Sequence, residues 1–352
     1  MFMSSIFRSS KCEAPPSPPP LPSTDGSSEG ASSTAPPPPP DAIAEAAAAV
    51  SSCPNPGPLE SATWDTRRLT SLDTYDGVRV DISKQLSPYF ACVHSFHLGT
   101  SMLPDGRNSS YAFTTQMNDE EGFSMARVDP ERQSVDGRIH RALLGGVAMA
   151  KLQASLSNEG SNDQLLGEVD LGAQTWTANL KYGSMGGGNV FGMNYFQSIT
   201  PKLAMGGEGM WIGVNGNMLS SYTAKYSFAP VRSEGGEDGA GGDASSYLAA
   251  TYNAGQGMLS LAYKQSITAQ RVTVGASLEC SPATLDSQVV VGAEFNLTRS
   301  KMNVCVDGTG RIQSVLEAKL GREPGSPALN FAAELNHGQG LMRFGYGLNI
   351  GS

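Results

Sequence analysis

The last strand-like stretch of the chain, residues 340–350, alternates between apolar positions and polar or small positions. The even positions are apolar: Met342, Phe344, Tyr346, Leu348 and Ile350. The odd positions are Arg343, Gly345, Gly347 and Asn349. Because side chains alternate between the two faces of a strand, one face is wholly apolar. The pattern predicts a strand, and its repetition upstream favours a closing barrel strand whose apolar face meets lipid.

The same alternation recurs from Gly77 onward. The clearest segments lie at residues 78–83, 175–182, 271–279, 288–297, 311–320 and 329–336. A soluble sandwich also buries one face of each strand, but here the charged residues are expected always on the opposite face. Lys or Arg facing lipid costs roughly 2–4 kcal/mol near the midplane, which enforces such a separation. At about 14 residues per strand and turn, residues 77–350 predict an all-β transmembrane barrel of about 19 strands with an aqueous lumen.

Composition agrees with a barrel. The chain has 352 residues, a net charge of −9 and 39% hydrophobic residues, with no apolar run near the ~18 residues of a membrane helix. A membrane-spanning chain of this kind has to close into a barrel to satisfy its backbone in lipid. The acidic balance argues against nucleic acid and fits a cationic partner, although solubility alone explains it. The five scattered cysteines indicate neither a disulfide framework nor a zinc site, and we expect no secretory signal peptide.

Three regions are expected along the chain. Residues 1–54 form a Pro/Ser/Ala-rich tail, which predicts disorder. Residues 55–76 predict a linker and a short helix that begins after Pro58 and lies against the inner barrel wall, with an exposed linker helix as the alternative. Residues 77–351 predict the barrel, in which 230–243 is an acidic, glycine-rich loop.

Several motifs resemble one family. The stretches Tyr195–Pro201 (YFQSITP) and Leu203–Glu208 (LAMGGE) look very much like the central pore subunit of the mitochondrial outer-membrane protein translocase, the TOM complex, within the eukaryotic porin superfamily. Residues 55–57, 77–78, 94–95 and 255–258 fall in the same family's order. The closing strand is similar to the β-signal of mitochondrial outer-membrane barrels at Arg343, Gly345, Leu348 and Ile350. The resemblance covers about residues 55–351.

The resemblance implies a 19-stranded barrel in the mitochondrial outer membrane, with the first and last strands paired in parallel and a helix inside. It also implies a homo-oligomeric complex with small single-span subunits and receptors, and precursor proteins as substrates. The tail and the acidic loop depart from the family, which leaves the docking sites open. Voltage-dependent anion channels share the architecture and are the alternative, but their N-terminal helix normally starts the protein.

The function predicted from these observations is a protein-conducting channel that imports unfolded precursors. Acidic side chains on the inner face are expected to guide cationic presequences. They are Asp81, Glu168, Asp170, Glu208, Glu279, Glu294, Glu317 and Glu334. For each, pairing with an inward base such as Arg79, Lys181 or Arg311 is an equally good interpretation.

We expect no enzyme and no cofactor. His94 and His97 are three apart, so in a strand they point to opposite faces and do not share a metal. No Ser/His/Asp or Cys/His arrangement has a recognisable local signature.

Overall fold

The computed structural model describes residues 53–100, 108–158, 163–185, 188–213, 216–228, 246–268, 271–322 and 325–351. All of these residues belong to one compact unit. The predicted acidic loop at 230–243 and all of the predicted tail except its last two residues lie outside the described residues. Among the described helices, none has the length and apolar character needed to cross a membrane.

Nineteen strands account for most of the described chain. Their bounds are β1 Gly77–Ser87, β2 Phe90–Leu98, β3 Ser109–Asp119, β4 Gly122–Asp129, β5 Ser134–Leu143, β6 Ala148–Ser157, β7 Gln164–Gly172, β8 Trp176–Met185, β9 Gly188–Ser198, β10 Leu203–Ile212, β11 Asn217–Ser227, β12 Tyr247–Asn253, β13 Met258–Thr268, β14 Val272–Ser281, β15 Asp286–Asn296, β16 Ser300–Asp307, β17 Arg311–Lys319, β18 Ala328–Asn336 and β19 Leu341–Gly351. One α-helix, α1, spans Trp64–Thr70, and 3₁₀ turns span Leu59–Ala62 and Leu144–Gly146.

The strands form one closed sheet. Sequential strands pair antiparallel, and β1 closes the ring by pairing in parallel with β19 from Gly77–Gly345 to Ser83–Gly351. We call this β1–β19 pairing the seam. The prediction of an all-β barrel of about 19 strands is therefore confirmed. We call the end of the barrel at which β1 begins the lower rim, and the opposite end the upper rim.

The strand register divides each strand into an outer and an inner face. On β1 the outer residues are Val78, Val80 and Ile82, and they pair with outer residues of β19 and β2. The same alternation places apolar side chains on the outside around the ring, and many of them are exposed, including Phe191, Tyr222 and Phe344. An exposed apolar band on a closed barrel is the surface that lipid requires.

The expectation that charged residues always lie on the inner face is wrong at three described positions. Lys84 shares the outer parity of Ile82, Arg141 shares that of Ile139, and Asp119 shares that of Met117. All three lie close to the upper rim, where β1, β3 and β5 end. A cation there costs only about 0–1 kcal/mol, because its long side chain reaches the polar interface.

Candidate functional site

The residues before β1 lie inside the barrel. We call residues 53–76 the inner segment. It begins at the upper rim, where the Ser198 hydroxyl donates to the Pro54 carbonyl at 2.7 Å and the Thr177 hydroxyl donates to the Gly57 carbonyl at 2.7 Å. Both partners belong to the inner faces of β8 and β9. The inner segment therefore starts against this part of the wall.

The first turn of the inner segment is apolar on the side that meets the wall. Leu59 and Ala62 are buried in a cluster with Phe196 of β9 and Ala204 of β10. Phe196 is fully buried, although it lies on the inner face of a wide barrel. Burying apolar surface against these side chains stabilises the turn on the wall.

Helix α1 has only seven residues and no side-chain N-cap, so its own propensity contributes little. Packing holds it instead. Leu69, which is 2% exposed, lies over Gly275 and Gly292, two glycines that pair across β14 and β15. A Cβ at Gly292 would lie 1.9 Å from the Leu69 carbonyl oxygen, so only glycine permits this approach.

Polar contacts fix the rotation of α1. The buried Tyr247 hydroxyl lies 3.0 Å from Thr66 Oγ1 and accepts from the Thr66 backbone N–H at 3.1 Å. Arg68 pairs with Glu294 of β15 at 3.3 Å. Glu294 is nearly buried and is also paired with Lys301 of β16 at 3.2 Å. These contacts confirm the predicted helix inside the barrel and exclude the exposed-linker alternative.

Residues 73–76 lead from α1 to β1 along the lower part of the wall. The Thr74 hydroxyl donates to Glu334 of β18 at 3.1 Å and accepts from Gln313 of β17 at 3.1 Å. Burial raises the pKa of Tyr75. Its hydroxyl donates to the Asn330 carbonyl at 3.4 Å. The inner segment thus follows the wall from β8 through β19 before the chain enters β1.

The described residues leave the opposite part of the wall, formed by β3–β7, largely uncovered. In the described part of the chain, residues 54–75 make no hydrogen bond, ion pair or ring contact with β3–β7. The inner face of these strands mixes charged and apolar side chains, including Phe123, Arg138, Met149 and Glu168. Among the described residues, the inner segment leaves this wall open except at its upper end, where Pro58 lines a hollow with Met149 and Asp170.

The register places all eight predicted acidic residues on the inner face. Five of them are ion-paired: Asp81 with Arg79 (2.9 Å), Asp170 with Lys151 (2.6 Å), Glu208 with Lys181 (3.3 Å), Glu294 with Lys301 (3.2 Å) and Arg68, and Glu334 with Arg311 (2.9 Å). For these five the pairing interpretation holds. Their charges are largely compensated on the wall.

Three of the predicted acids have no ion pair among the described residues: Glu168, Glu279 and Glu317. Glu279 lines a hollow of about 280 Å³ between α1 and β13–β15, which Arg67 also lines. Glu168 lies on the uncovered wall, in register with Lys151 and Lys181, whose ammonium groups pair instead with other carboxylates. Glu168 is therefore the acid without an ion pair on the part of the wall that the inner segment leaves open, whereas the more exposed Glu279 lies beside α1.

The four β-signal positions divide between the two faces of β19. Arg343 and Gly345 face inward, and Gly345 lies against Tyr75. Leu348 and Ile350 face outward, where they pair with Val80 and Ile82 of β1. Each position thus also has a structural partner in the finished barrel.

His94 and His97 point to opposite faces of β2, as their spacing predicts. His94 faces outward, with Nδ1 2.9 Å from the Tyr111 hydroxyl. His97 faces inward, with Nε2 3.0 Å from the Asp76 carbonyl. No cluster of three metal-binding side chains occurs in the described residues.

Sequence reasoning missed the glycines that receive the inner segment. Gly275, Gly292 and Gly347 interrupt otherwise ordinary strand patterns at inner positions. Glycine inside a strand is a known signal for close approach of another backbone. What no pattern specifies is the approaching residue, which is Leu69 in one case and Tyr75 in the other.

A closed antiparallel barrel with one parallel seam and a folded segment in its lumen defines a porin-type membrane channel. The eukaryotic porin family model matches residues 55–345, so the chain belongs to the eukaryotic porin family. It is 28% identical over 321 residues to the human protein named mitochondrial import receptor subunit TOM40 homolog, covering 88% of this chain and 82% of that one.

Relatives in other kingdoms carry similar names. The chain is 25% identical over 318 residues to mitochondrial import receptor subunit tom40 of Neurospora crassa, covering 84% of this chain and 83% of that one. It is 24% identical over 307 residues to the probable mitochondrial import receptor subunit TOM40-2 of Arabidopsis thaliana, covering 85% and 91%. These relatives confirm the resemblance that the motifs indicated. With the closed barrel, they also confirm a β-barrel of the mitochondrial outer membrane.

Proposed function

We propose that this protein is the protein-conducting channel through which unfolded precursors enter mitochondria. A role in mitochondrial protein import is supported by the names of its relatives, which are import receptor subunits in fungi, plants and animals. The family and these names also support a channel rather than an enzyme. The observation that carries the proposal is the uncovered inner wall of β3–β7, which offers a passing chain an open face lined by mixed side chains.

Glu168 is the first residue that we propose for the presequence path. It is without an ion pair among the described residues and lies on the uncovered wall. A basic targeting helix carries several cations, and a carboxylate facing water attracts them over the ~10 Å screening length at 0.1 M salt. Asp170 shares its face but is compensated by Lys151, so its contribution is smaller.

Most of the other predicted acids hold the lining of the lumen in place. Glu294 and Glu334 contact the inner segment directly, and Glu208 does so through Lys181, which also binds Glu60. Asp81 is compensated by Arg79 beside the seam. We propose that these four acids shape the lumen by holding its lining, whereas Glu279 and Glu317 add uncompensated charge to the covered wall.

A metabolite channel like the voltage-dependent anion channels is the second candidate. The same family includes this possibility, because its model is described only as a eukaryotic porin. A channel for anionic metabolites gains nothing from uncompensated carboxylates in its lumen, whereas a path for cationic presequences does. The free carboxylate of Glu168 therefore favours the translocase.

The partners belong to the same proposal. Precursor proteins are the substrates, and small single-span subunits and receptors are the partners within a homo-oligomeric complex. The word "subunit" in the relatives' names supports membership of a complex. The exposed apolar outer face supplies surface both for lipid and for single-span helices.

Channel block by a cationic targeting peptide tests the proposal. The purified channel is reconstituted in a planar bilayer, and the block is measured against a scrambled peptide of equal charge that forms no amphipathic helix. The double variant Glu168→Gln/Asp170→Asn is expected to weaken block at low salt and to have little effect at high salt. The matched control, Glu120→Gln/Glu121→Gln, removes two charges from a turn at the upper rim and should leave block unchanged.

The result that rejects the translocase is equally specific. Equal block by both peptides at every salt concentration, together with a preference for anions in the open state, would favour the metabolite channel. Unchanged peptide block in the double variant would remove Glu168 and Asp170 from the path.

A further inference from the structure

Tyr75 lies across the line where the barrel closes. Its ring packs along Gly345 and Gly347 of β19, and its hydroxyl donates to the Asn330 carbonyl of β18. On the other side of the seam, the Arg79 guanidinium of β1 lies 6.0 Å from the ring centroid. The His97 ring of β2 meets Tyr75 edge-on at 6.4 Å. One side chain thus contacts the two strands on each side of the seam.

The backbone around Tyr75 is tied to the same strands. The Asp76 carbonyl contacts the His97 ring, and the Asp76 carboxylate accepts from the Thr100 backbone N–H and hydroxyl. Gly77 then enters β1 at a φ of +80°, where a Cβ would lie 2.0 Å from the Leu98 carbonyl oxygen. The position of Tyr75 is therefore determined on both of its flanks.

The glycines of β19 make room for this side chain. A Cβ at Gly347 would lie 2.3 Å from the Tyr75 hydroxyl oxygen and 3.0 Å from Asn330 Cβ. At Gly345 the obstacle is different, because a Cβ there would lie 2.3 Å from the Tyr75 carbonyl oxygen. Both glycines are buried although most of β19 is exposed. The ring of Tyr75 takes the volume that two side chains would otherwise fill.

We propose that Tyr75, Gly345 and Gly347 form a seam clasp, in which the inner segment holds the first and last strands together. Gly345 then has a second reason to be glycine, besides its place in the β-signal. The seam needs such support more than other pairings do. The strands of the seam pair in parallel, and a parallel ladder is slightly less stable per residue than an antiparallel one. The two strands of the seam are also the most distant in sequence, so bringing them together costs the most chain entropy.

The clasp makes a prediction that a β-signal alone does not make. Gly347→Ala should lower the amount of folded barrel, measured as the fraction that resists both alkaline carbonate extraction and trypsin. Tyr75→Phe removes the hydroxyl that blocks the new methyl group, so it should restore Gly347→Ala. The same Tyr75→Phe change should not restore Gly345→Ala, because the blocking atom there is a main-chain oxygen that every residue retains.

Two controls set the scale. Gly209→Ala replaces an outward strand glycine whose Cβ would meet only Met218 Cε at 3.4 Å, so it should assemble like the wild type. Asn349→Ala changes an inner position of β19 that is exposed, and it should also assemble normally. If Gly347→Ala assembles as well as these controls, or if Tyr75→Phe restores both glycine variants or neither, the clasp is wrong.

Cross-linking across the seam provides a second measurement. Ile82 and Ile350 are outward register partners, so Ile82→Cys with Ile350→Cys should form a disulfide in the closed barrel. The purified channel is warmed to a series of temperatures and then oxidised. The temperature at which the disulfide yield falls should be lower in the double-cysteine protein that also carries Tyr75→Ala than in the double-cysteine protein alone. An unchanged temperature would show that Tyr75 does not hold the seam.

Discussion

Lys264 Nζ of β13 lies 2.7 Å from Asp65 Oδ2 of α1, so the wall supplies a cation that the inner helix neutralises. The Lys264 side chain is only 10% exposed, and its ammonium group lies 5.9 Å from the Tyr247 ring centroid. A buried ammonium requires its counterion, because burial without one is costly. The helix and the wall are thus mutually dependent at this point.

Replacing Asp65 should therefore loosen the helix. Asp65→Asn leaves Lys264 without its carboxylate and should cost about 1–3 kcal/mol of helix docking. Trypsin reports the change directly, because α1 contains Arg67 and Arg68. We expect faster cleavage there than in Asp73→Asn, which removes a charge from a side chain that is 92% exposed. Equal cleavage of the two variants would contradict the anchoring role of this pair.

Leu69 should be the main apolar anchor of the same helix. Leu69→Ala removes a buried side chain from the surface made by Gly275 and Gly292, at a cost of about 2–5 kcal/mol. The expected result is release of α1 with the barrel intact, measured as tryptic cleavage at Arg68 in a chain that stays in the membrane. Trp64→Ala is the control, because Trp64 is 66% exposed. Protection of Leu69→Ala equal to that control would argue against the anchor.

The closing strand allows a comparison between neighbouring positions. Leu348 faces outward between Leu329 and Val80, whereas Asn349 faces the lumen. Leu348→Asp places a carboxylate toward lipid and should impair membrane assembly. The free-energy cost of this charge should be smaller than the roughly 2–4 kcal/mol for a lipid-facing Lys or Arg at the midplane. Asn349→Asp adds the same charge on the inner face and should assemble. Normal carbonate resistance of Leu348→Asp would contradict the lipid-facing assignment.

The boundary of the dispensable tail is a further prediction. The barrel is expected to assemble without residues 1–50, because that composition contributes no packed core. Removal through residue 57 should be harmful, since it deletes the buried Cys53 and the carbonyls of Pro54 and Gly57 that bind β9 and β8. The measurement is the carbonate- and trypsin-resistant fraction of each truncated chain. Equal fractions would show that these upper-rim contacts are unimportant.

The barrel was predictable because lipid imposes a simple rule on sequence. Apolar residues alternate with polar ones in segments such as 272–279 and 329–335, and the register confirms their division between the two faces. The rule weakens at the upper rim, where Lys84, Asp119 and Arg141 face outward. Alternation alone does not specify which rim a residue approaches, and that position decides the cost of a charge.

The lining of the lumen was less predictable. Parity assigned all eight acids to the inner face, but it gave no information on partners. Glu168 and Asp170 are two residues apart on one face, yet only Asp170 has a bound cation, because Lys151 extends toward it. Likewise, the contact of Tyr75 with Gly347 joins residues 272 positions apart, and no local pattern specifies it.

Photo-cross-linking of an arrested precursor tests most directly whether chains pass through this lumen. Glu168 and Val169 are adjacent on β7. Glu168 points into the lumen from the uncovered wall, whereas Val169 faces outward. A photoreactive residue is placed at each position in turn, and a precursor is arrested in transit by a folded C-terminal domain. We expect strong cross-links to the precursor from position 168 and none from position 169. Cross-links from 169 alone, or none from 168 while the precursor is arrested, would contradict a path along this wall.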